Sequence, residues 1–175
     1  MTEAVESGTI LTMETRDIVR PARPDDCEAI ASIYNEGIAE RRSTFETDAR
    51  TSADIEDWLT LALPVLVAER NGGVAGWARV ARYSPRPCYA GVGEASIYVR
   101  ATERGRGLGT ALAGALRREA EKVGFHKLVG KLFVDNAPSR RLVARSGFRE
   151  VGTHLRHGRI DGDWRDVLVV ELLLG

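Results

Sequence analysis

The sequence predicts a mixed α/β fold in which a sheet of about seven strands carries helices on both faces. Strand-like and helix-like segments follow one another in the order β-α-α-β-β-β-α-β-α-β-β. An Asn71-Gly72 turn joins two of the strands as a hairpin, and a glycine-rich loop leads from another strand into a helix. Because hairpins pair strands antiparallel and strand–helix–strand units pair them parallel, the sheet is expected to contain both arrangements.

The N-terminal part of the chain predicts one strand and two helices. Ile18 and Val19 indicate a strand over residues 17–20, and residues 41–50 between the helices are predicted to be a loop. Each helix has start signals followed by apolar residues at helical spacing. In the first helix, Pro24-Asp25-Asp26 precedes Ala29, Ile30, Ile33, Tyr34 and Ile38. In the second, Thr51-Ser52-Ala53-Asp54 precedes Ile55, Trp58, Leu59 and Leu63, and Pro64 ends the helix. Residues 1–15 show little pattern and are predicted to be a flexible leader, which leaves residues 16–175 as a single domain.

The rest of the chain predicts the hairpin and the second half of the sheet. The turn at residues 71–73 joins strands at 65–70 and 74–83. The later elements are predicted from the same periodicities: an exposed loop at 84–89, a strand at 95–99, a helix at 110–122, a strand at 127–135, a helix starting at Asn136 and running to Arg145, and strands at 148–159 and 165–174.

The loop between the fourth strand and its helix has the composition of a phosphate-binding site. It reads Arg104-Gly105-Arg106-Gly107-Leu108-Gly109. Glycines at a helix start let the backbone close on a ligand, and the free N–H groups of the first turn attract phosphate oxygens. Arginine side chains can donate two hydrogen bonds to one phosphate. The sequence therefore predicts a phosphate cradle here.

Two nucleotide-binding motifs fit this loop poorly. A Walker A loop needs Lys-Ser or Lys-Thr after its last glycine, whereas Gly109 is followed by Thr110-Ala111. A dinucleotide fingerprint needs a third glycine where Thr110 stands, although Asp135 could imitate its ribose-binding acid. The spacing of Arg104, Gly107 and Gly109 favours a different phosphate ligand.

Length and composition suit one globular domain and narrow the function classes. Of 175 residues 43% are hydrophobic, and 25 basic residues balance 25 acidic ones. A zero net charge offers no broad basic face to nucleic acid or to a membrane surface, and no apolar run approaches the ~20 residues that cross a bilayer. The N-terminus lacks a secretory signal pattern, and two cysteines make no disulfide framework. We expect a cytoplasmic protein with neither nucleic-acid nor membrane partners.

The sequence also predicts no metal site. No cluster of histidines and cysteines has the spacing of metal ligands. His154 and His157 lie three residues apart on a predicted strand, so the alternation of side chains is expected to place them on opposite faces.

Segments along residues 17–174 together resemble the GCN5-related N-acetyltransferase (GNAT) superfamily, and within it the phosphinothricin-type N-acetyltransferases. The matching segments are Ile33-Tyr34-Asn35-Glu36-Gly37-Ile38, Ser43-Thr44-Phe45-Glu46-Thr47, Cys88 to Glu94, Tyr98-Val99, the loop 104–109, Asn136 to Leu142, Gly147-Phe148, His157-Gly158 and Asp161 to Val167. The resemblance implies a central, mostly antiparallel sheet flanked by helices, acetyl-coenzyme A (acetyl-CoA) as co-substrate, a homodimer, and an amine acceptor such as phosphinothricin, arsinothricin or methionine sulfoximine, which acetylation would detoxify.

The resemblance also implies the residues that bind acetyl-CoA. Residues 104–109 would hold the pyrophosphate: Arg104, Gly105, Arg106, Gly107, Leu108 and Gly109. The strand residues Ile97, Tyr98 and Val99 would hold the pantetheine arm, with backbone groups of Ile97 and Val99 at the thioester. Asn136 and Ser139, which by themselves are typical of a helix cap, would contact the cofactor where two central strands separate.

Glu94 is the candidate general base. An acceptor amine has a reference pKa of about 8 to 10 and must lose a proton before its nitrogen can attack a thioester. A carboxylate at the mouth of a central strand could take that proton directly or through water.

Many relatives carry a Tyr or His where this chain has Val143. Since a thiol is far more acidic than an alcohol, we expect the thiolate to leave without an enzymatic acid.

The acceptor site is predicted from aromatic and cationic residues near these segments. Arginines suit the tetrahedral oxyanion of an amino-acid analogue, and the candidates are Thr44, Phe45, Arg79, Arg82, Tyr83, Arg86 and Tyr89. Other acceptors stay open: a polyamine, which the arginines disfavour, an aminoglycoside, or a protein N-terminus. A protein that binds acetyl-CoA as a sensor without turnover is a further alternative, which Val143 favours and Glu94 opposes.

Overall fold

The computed structural model describes residues 17–175 and shows one seven-stranded sheet with helices on both faces. The predicted leader, residues 1–15, lies outside the described residues. The helices are α1 (Cys27–Ala39), α2 (Ser52–Thr60), α3 (Leu108–Lys122) and α4 (Ala137–Arg145). The strands are β1 (Ile18–Pro21), β2 (Val65–Arg70), β3 (Gly73–Arg82), β4 (Val92–Val99), β5 (Lys127–Phe133), β6 (Arg149–Ile160) and β7 (Asp163–Leu173). The predicted order of elements is confirmed.

Two element boundaries differ from the prediction by three residues or more. Helix α2 ends at Thr60 instead of continuing to Pro64, because Ala62 takes a positive φ of 52° that no helix accommodates. Strand β4 begins at Val92, three residues earlier than predicted, because Val92–Glu94 pair with β5 on one side and Gly93 and Glu94 with β3 on the other. Glu94 therefore lies inside the strand.

Strand order in the sheet is β1-β2-β3-β4-β5-β7-β6. Neighbours are antiparallel except β4 and β5, which are parallel and are connected through α3. The β4–β5 pairing covers only three residues, from Val92 opposite Lys127 to Glu94 opposite Val129. Beyond this point the two central strands separate, and the sheet is open in its middle.

Alternating side chains of β2 and β3 feed two separate hydrophobic cores. One core lies between the sheet and α3 and includes Leu66, Ala78, Val80, Leu112 and Leu116. The other lies on the opposite face under α1 and α2, and its buried members are Cys27, Ile30, Ala31, Ile33, Ile55, Val65, Val67 and Trp77. Both faces of the central strands are thus covered, which fixes the direction of the β4 side chains.

An ion cluster connects the N-terminal strand to the start of α1. The Arg20 guanidinium donates to both carboxylate oxygens of Asp26, at 2.7 and 2.8 Å, and to Glu69 on β2. Asp26 is 6% exposed and also accepts from the Arg23 N–H at 2.7 Å. The Arg20 hydrogen bonds hold the pKa of Asp26 below its usual range. A buried carboxylate with three charge-assisted or backbone donors anchors this corner of the fold.

We expect Asp26→Asn to lower the free energy of unfolding by about 1–3 kcal/mol at pH 7, because Asn cannot accept the paired Arg20 hydrogen bonds. A lowered folded-state pKa means that this contribution is complete above the unfolded-chain pKa of about 3.9. It is lost as the pH falls through the lower folded-state pKa. Urea unfolding at pH values from 7 to 3 measures the effect, with the exposed Asp25→Asn as control. A difference between wild type and Asp26→Asn that is constant with pH would contradict the linkage.

Candidate active site

The opening between β4 and β5 forms a cleft in the middle of the sheet. Its floor and walls come from both separated strands, from the loop after α1 and from α4. The residues that line it are Ser43, Ala95, Ser96, Ile97, Tyr98, Ala113, Gly130, Lys131, Leu132, Asn136, Ser139, Leu142, Val143, Ser146 and Phe148. Four of the predicted site residues line this cleft: Ile97, Tyr98, Asn136 and Ser139. Thr44, Glu94 and Val99 are chain neighbours of lining residues, and Gly109 packs against the lining residue Leu142.

The free edge of β4 faces the cleft with unpaired backbone groups. At the two ends of the β3–β4 ladder, Tyr83 N donates to Val92 O at 3.3 Å and Arg100 N donates to Ala75 O at 2.8 Å. Hydrogen-bonded pairs alternate along an antiparallel ladder, so the even-numbered residues of β4 direct their backbone groups toward β3. Ala95, Ile97 and Val99 consequently direct theirs toward the cleft. Apart from Val99 O, which accepts from Arg104 Nε at 3.0 Å, these are donors and acceptors available to a ligand in an extended conformation.

Tyr98 occupies a different position from its neighbours Ile97 and Val99. Its ring stacks on Trp77 at 4.7 Å and meets Tyr34 at 4.9 Å, and its hydroxyl donates to Ser43 O at 3.3 Å. Burial raises the pKa of this phenol above its usual range. Tyr98 thus anchors β4 in the core under α1 while its flank borders the cleft.

The glycine-rich loop forms a turn that leaves the start of α3 open. Gly105 and Gly107 have φ values of 76° and 89°, where glycine is favoured, and no atoms lie within 4 Å of where their Cβ atoms would be. The first helical hydrogen bond runs from Ala111 N to Gly107 O at 3.1 Å. The N–H groups of Leu108, Gly109 and Thr110 precede it and have no carbonyl within the helix to donate to. The loop therefore provides N–H donors at the positive end of a helix dipole.

The two loop arginines make contacts within the protein. Arg104 donates through Nε to Val99 O at 3.0 Å and through Nη1 to both Glu40 oxygens at 2.8 and 3.0 Å. Arg106 pairs with Glu103 at 3.2 Å and is 59% exposed at its side chain. Arg104 thus ties the loop to the end of β4 and to α1, whereas the exposed Arg106 can reach an anion at the loop.

The start of α4 lies on the other side of the cleft. The Asn136 side chain accepts from Ser139 N at 3.1 Å, which caps the helix as predicted, and donates to Arg42 O at 3.0 Å. One residue therefore joins α4 to the loop after α1. Further along α4, the Leu142 side chain lies 3.2 Å from a Cβ placed at Gly109, so α4 packs closely against the first turn of α3.

Glu94 lies at the last paired position before the strands separate. Its Oε2 atom accepts a hydrogen bond from Nζ of Lys131 at 2.9 Å, and the two side chains are 34% and 39% exposed. Lys131 Nζ also lies 5.6 Å from the centre of the Tyr83 ring. Sequence reasoning missed Lys131. A cation inside the otherwise apolar run Leu128 to Val134 is the signal that could have found it.

Arg79 approaches Glu94 from the other neighbouring strand. It lies opposite Ser96 in the ladder, two positions from the Ala81–Glu94 pair, and therefore on the same face of the sheet. Its guanidinium carbon is 3.8 Å from the centre of the Trp58 ring. Burial lowers the pKa of Arg79, but an arginine stays charged. The face thus carries the cations of Arg79 and Lys131 around one carboxylate.

The structure brings most of the predicted acceptor residues to this face. Tyr83 meets Tyr89 at 5.7 Å, and the Arg86 guanidinium carbon is 5.6 Å from the Tyr89 ring centre. Phe45 packs edge-on against Phe133 at 4.8 Å, while the neighbouring Thr44 hydroxyl accepts from Glu46 N at 3.1 Å.

Arg82 and the histidine pair differ from the sequence-based expectations. Arg82 lies opposite Gly93, so its position in the ladder belongs to the face away from Glu94, although it lines a small pocket together with Arg79. The expectation that His154 and His157 face opposite sides is wrong, because their rings stack at 4.7 Å. The register shifts between His154 and Gly158, and Arg156 has a φ of 49°, so the regular alternation is interrupted.

Val143 lies in a small core with Leu132, Leu168 and Val170 and also borders the cleft. Its isopropyl group has no proton to transfer.

Among residues 17–175 no group of three His, Cys, Asp or Glu side chains could hold a metal ion, and no helix is long and apolar enough to cross a membrane.

Comparison with known proteins places these features in one family. The family model described as Acetyltransferase (GNAT) family matches residues 29–148. An L-methionine sulfoximine/L-methionine sulfone acetyltransferase of Salmonella typhimurium is 34% identical over 161 residues, which cover 89% of this chain and 94% of that protein.

Two solved structures are similar over almost the whole chain. A GNAT superfamily phosphinothricin acetyltransferase from Sinorhizobium meliloti in complex with AcCoA has a TM-score of 0.85 and 26% identity, covering 91% of this chain and 89% of that one. A ribosomal-protein-alanine N-acetyltransferase from Brucella melitensis has a TM-score of 0.86 and 31% identity, covering 90% and 99%.

The two contacts of Asn136 can be separated by substitution. We expect Asn136→Ala to lower the free energy of unfolding by about 1 kcal/mol, because it removes the helix cap. Asn136→Asp keeps the cap and loses only the amide donor to Arg42 O, so it should retain most of the stability. Both variants should increase proteolytic cleavage within residues 41–50, and thermal unfolding with limited proteolysis measures the two effects. Equal stability loss in both would contradict the assignment of the cap.

Proposed function

Because the chain belongs to the acetyltransferase (GNAT) family, we propose that it is an acetyl-CoA-dependent N-acetyltransferase that acts on the α-amino group of a small amino-acid analogue. Phosphinothricin, methionine sulfoximine and arsinothricin are the proposed acceptors. One observation carries the proposal: Glu94 lies where β4 and β5 separate, beside a strand edge with unpaired backbone groups and on the face that carries Arg79 and Lys131. Acetylation would remove the positive charge of the acceptor amine and so detoxify a glutamate-like compound.

The residues at the cleft fit acetyl-CoA. The open start of α3, with Gly105 and Gly107 free of neighbours within 4 Å of an added Cβ, suits the two phosphates of a pyrophosphate. Residues 104–109 would bind it. The unpaired backbone groups of Ile97 and the N–H of Val99, whose carbonyl accepts from Arg104, suit the amides of a pantetheine arm. Tyr98, Asn136 and Ser139 border the same cleft. When bound, acetyl-CoA supplies an acetyl group activated as a thioester.

Glu94 would act as the general base. Its carboxylate accepts the proton from the acceptor's α-ammonium group, either directly or through one water, which leaves a lone pair on the nitrogen for attack. The backbone N–H groups that β4 directs into the cleft are suited to donate to a carbonyl oxygen there. The Val143 side chain can offer no proton, so the sulfur would leave as a thiolate. A thiol pKa near 8.5 makes that possible without a protein acid.

The acceptor would lie on the face of Glu94. Arg79, held over Trp58, and Arg86 offer charge-assisted donors to a tetrahedral oxyanion. Thr44, Phe45, Tyr83 and Tyr89 would surround the side chain. The names of the Salmonella and Sinorhizobium relatives, which specify methionine sulfoximine, methionine sulfone and phosphinothricin, support this acceptor class. A protein N-terminus is the second candidate, because the similar Brucella protein is named for a ribosomal-protein alanine.

Homodimerisation and a cytoplasmic location belong to the same proposal. Edge strand β6 is exposed along almost its whole length, with Val151 52% and Leu155 75% exposed. A second copy that covers this strand would bury these side chains. Cys27 and Cys88 are both free thiols, which agrees with a reducing compartment.

The role of Glu94 is tested by Glu94→Gln. We expect kcat for the preferred acceptor to fall by ~10²–10⁴, because the amide cannot accept a proton, while acetyl-CoA binding is unchanged. Thiol release measures turnover, and calorimetry measures binding. Glu119→Gln removes a carboxylate from the solvent-facing side of α3, where it pairs with Lys122, and serves as the matched control. Full turnover in Glu94→Gln would exclude Glu94 as base, and cofactor binding without thiol release in the wild type would favour the sensor alternative.

The phosphate loop is tested by a pair of glycine substitutions. Gly107 and Gly72 have positive φ values of 89° and 78° and open space at the Cβ position, but Gly72 lies in the β2–β3 turn. We expect Gly107→Ala and Gly72→Ala each to cost about 1–2 kcal/mol of stability through backbone strain. Only Gly107→Ala should weaken acetyl-CoA binding, by about 10-fold, because its methyl group fills the space proposed for phosphate. Equal Kd values would place the phosphates elsewhere.

A further inference from the structure

We propose that Lys131 is a specificity-determining residue that binds the α-carboxylate of the acceptor, so that the enzyme selects free amino acids over peptide N-termini. This inference rests on the proposed N-acetyltransferase activity and specifies its acceptor class. It starts from the ion pair between Lys131 and Glu94, which crosses the mouth of the cleft.

Lys131 lies two residues beyond Val129, the last β5 residue paired with β4. Its ammonium therefore reaches back across the point where the strands separate, to Glu94 Oε2 at 2.9 Å. It is 39% exposed, which leaves donors free for a ligand in the open cleft. The other lysine of β5 differs: Lys127 pairs at 2.7 Å with Glu171, whose side chain is only 11% exposed, at the far end of the strand. Only the Lys131 ion pair faces the proposed acceptor.

The acceptor's amine and Lys131 require the same carboxylate. A general base must lie within hydrogen-bond reach of the proton that it takes, so the α-ammonium group has to approach Glu94 where Lys131 now donates. Two ammonium groups at one carboxylate repel each other. Lysine is a point charge on a flexible stem with rotatable donors, and it can move by a few ångströms without moving the strand.

In an α-amino acid the carboxylate is attached to the carbon that carries the amine. It is thus the anion nearest to the displaced Lys131, whereas the side-chain tail extends further away. Arg79 lies one strand to the other side of Glu94, where it is available for the tail. A phosphinothricin-like acceptor, with two anionic groups and one ammonium, carries a net charge of −1, which complements two cations around one carboxylate. Methionine sulfone has a neutral tail and keeps only the α-carboxylate, the group that Lys131 would bind. The α-ammonium group replaces Lys131 at Glu94, and Lys131 moves to the α-carboxylate. Every charged group involved in this exchange keeps an oppositely charged partner.

A peptide N-terminus has a neutral amide in place of this carboxylate. Its ammonium would displace Lys131 from Glu94 without offering the lysine another anion, so the exchange would leave one cation unpaired. Specificity is a difference between two binding free energies, and an unpaired charge in the competing complex is an effective way to create it. Lys131 would therefore disfavour peptides and plain amines.

The test compares L-methionine sulfone with its α-carboxamide, which differ in the carboxylate alone. The full-length wild type, Lys131→Met and Lys131→Arg are assayed for thiol release with both acceptors, and Lys122→Met on the exposed face of α3 is the control. The ratio of variant to wild-type kcat/KM is taken separately for each acceptor, so that the different basicities of the two amines cancel.

We expect Lys131→Met to lower kcat/KM for the acid by ~10-fold or more, mainly through KM, and to change the value for the carboxamide by less than about 3-fold. Lys131→Arg should retain most of the activity with the acid, because it keeps the charge. An unchanged KM for acetyl-CoA shows that the variants are folded. An equal fall for both acceptors, or no fall for the acid, overturns the assignment of Lys131. If the wild type acetylates neither compound, the proposed acceptor class itself fails, and the assignment fails with it.

Discussion

The separation of β4 from β5 after three paired residues is the constraint on which the rest of the site depends. Backbone N–H and C=O groups in the middle of a sheet normally pair with a neighbouring strand. Here Ala95, Ile97 and Val99 direct theirs into a cleft, which a ligand with its own amides can enter. The same separation sets Glu94 at the entrance, since it is the last residue of β4 opposite β5. The open edge of β4 and the position of Glu94 at the entrance are thus two consequences of the separation of β4 from β5.

A strand that lacks one neighbour needs support from its other contacts. Strand β4 pairs with β3 from Gly93 to Val99 and is packed on both faces, by the α3 core and by the stack of Tyr98 on Trp77 at 4.7 Å. Beyond its end, Arg100 donates to Glu36 at 2.7 Å and Arg104 to Glu40 at 2.8 Å, which ties the phosphate loop to α1. Side chains that packing fixes in one rotamer on a strand or helix hold functional groups more accurately than side chains on loops do. The open edge is therefore a rigid one.

The charged side chains near the cleft lie together on one face of the sheet. The chain has no net charge, yet Arg79, Glu94 and Lys131 lie on one face of three adjacent strands. Around them, Tyr83, Tyr89 and Trp58 provide aromatic faces for the cations. Val143 borders the same cleft with a hydrocarbon side chain. The site thus carries a candidate base and two cations but, at Val143, no acid, which agrees with the proposed thiolate leaving group.

Signals written within a few residues were sufficient to predict much of the fold. Asn71-Gly72 forms the expected turn with φ values of 55° and 78°, Asn136 caps α4, and Gly105 and Gly107 adopt the positive φ values that the loop requires. Each of these depends on local backbone chemistry. The resemblance to a known family then supplied the roles proposed for Glu94 and the loop. The ion pair between Glu94 and Lys131 could not be obtained in this way, because it joins residues 37 positions apart through the register of two strands.

The same reason explains the other differences. Arg82 and Arg79 look equivalent in the sequence, but only the register of β3 against β4 shows that they lie on opposite faces. His154 and His157 meet because a shift in the β6–β7 register interrupts the alternation. By itself the sequence determined the order of elements, the caps and turns, and the glycine-rich loop before α3, since neighbouring residues specify these. Only the tertiary structure decided where the sheet opens and which charges meet at the opening, because strand pairing between distant segments sets both.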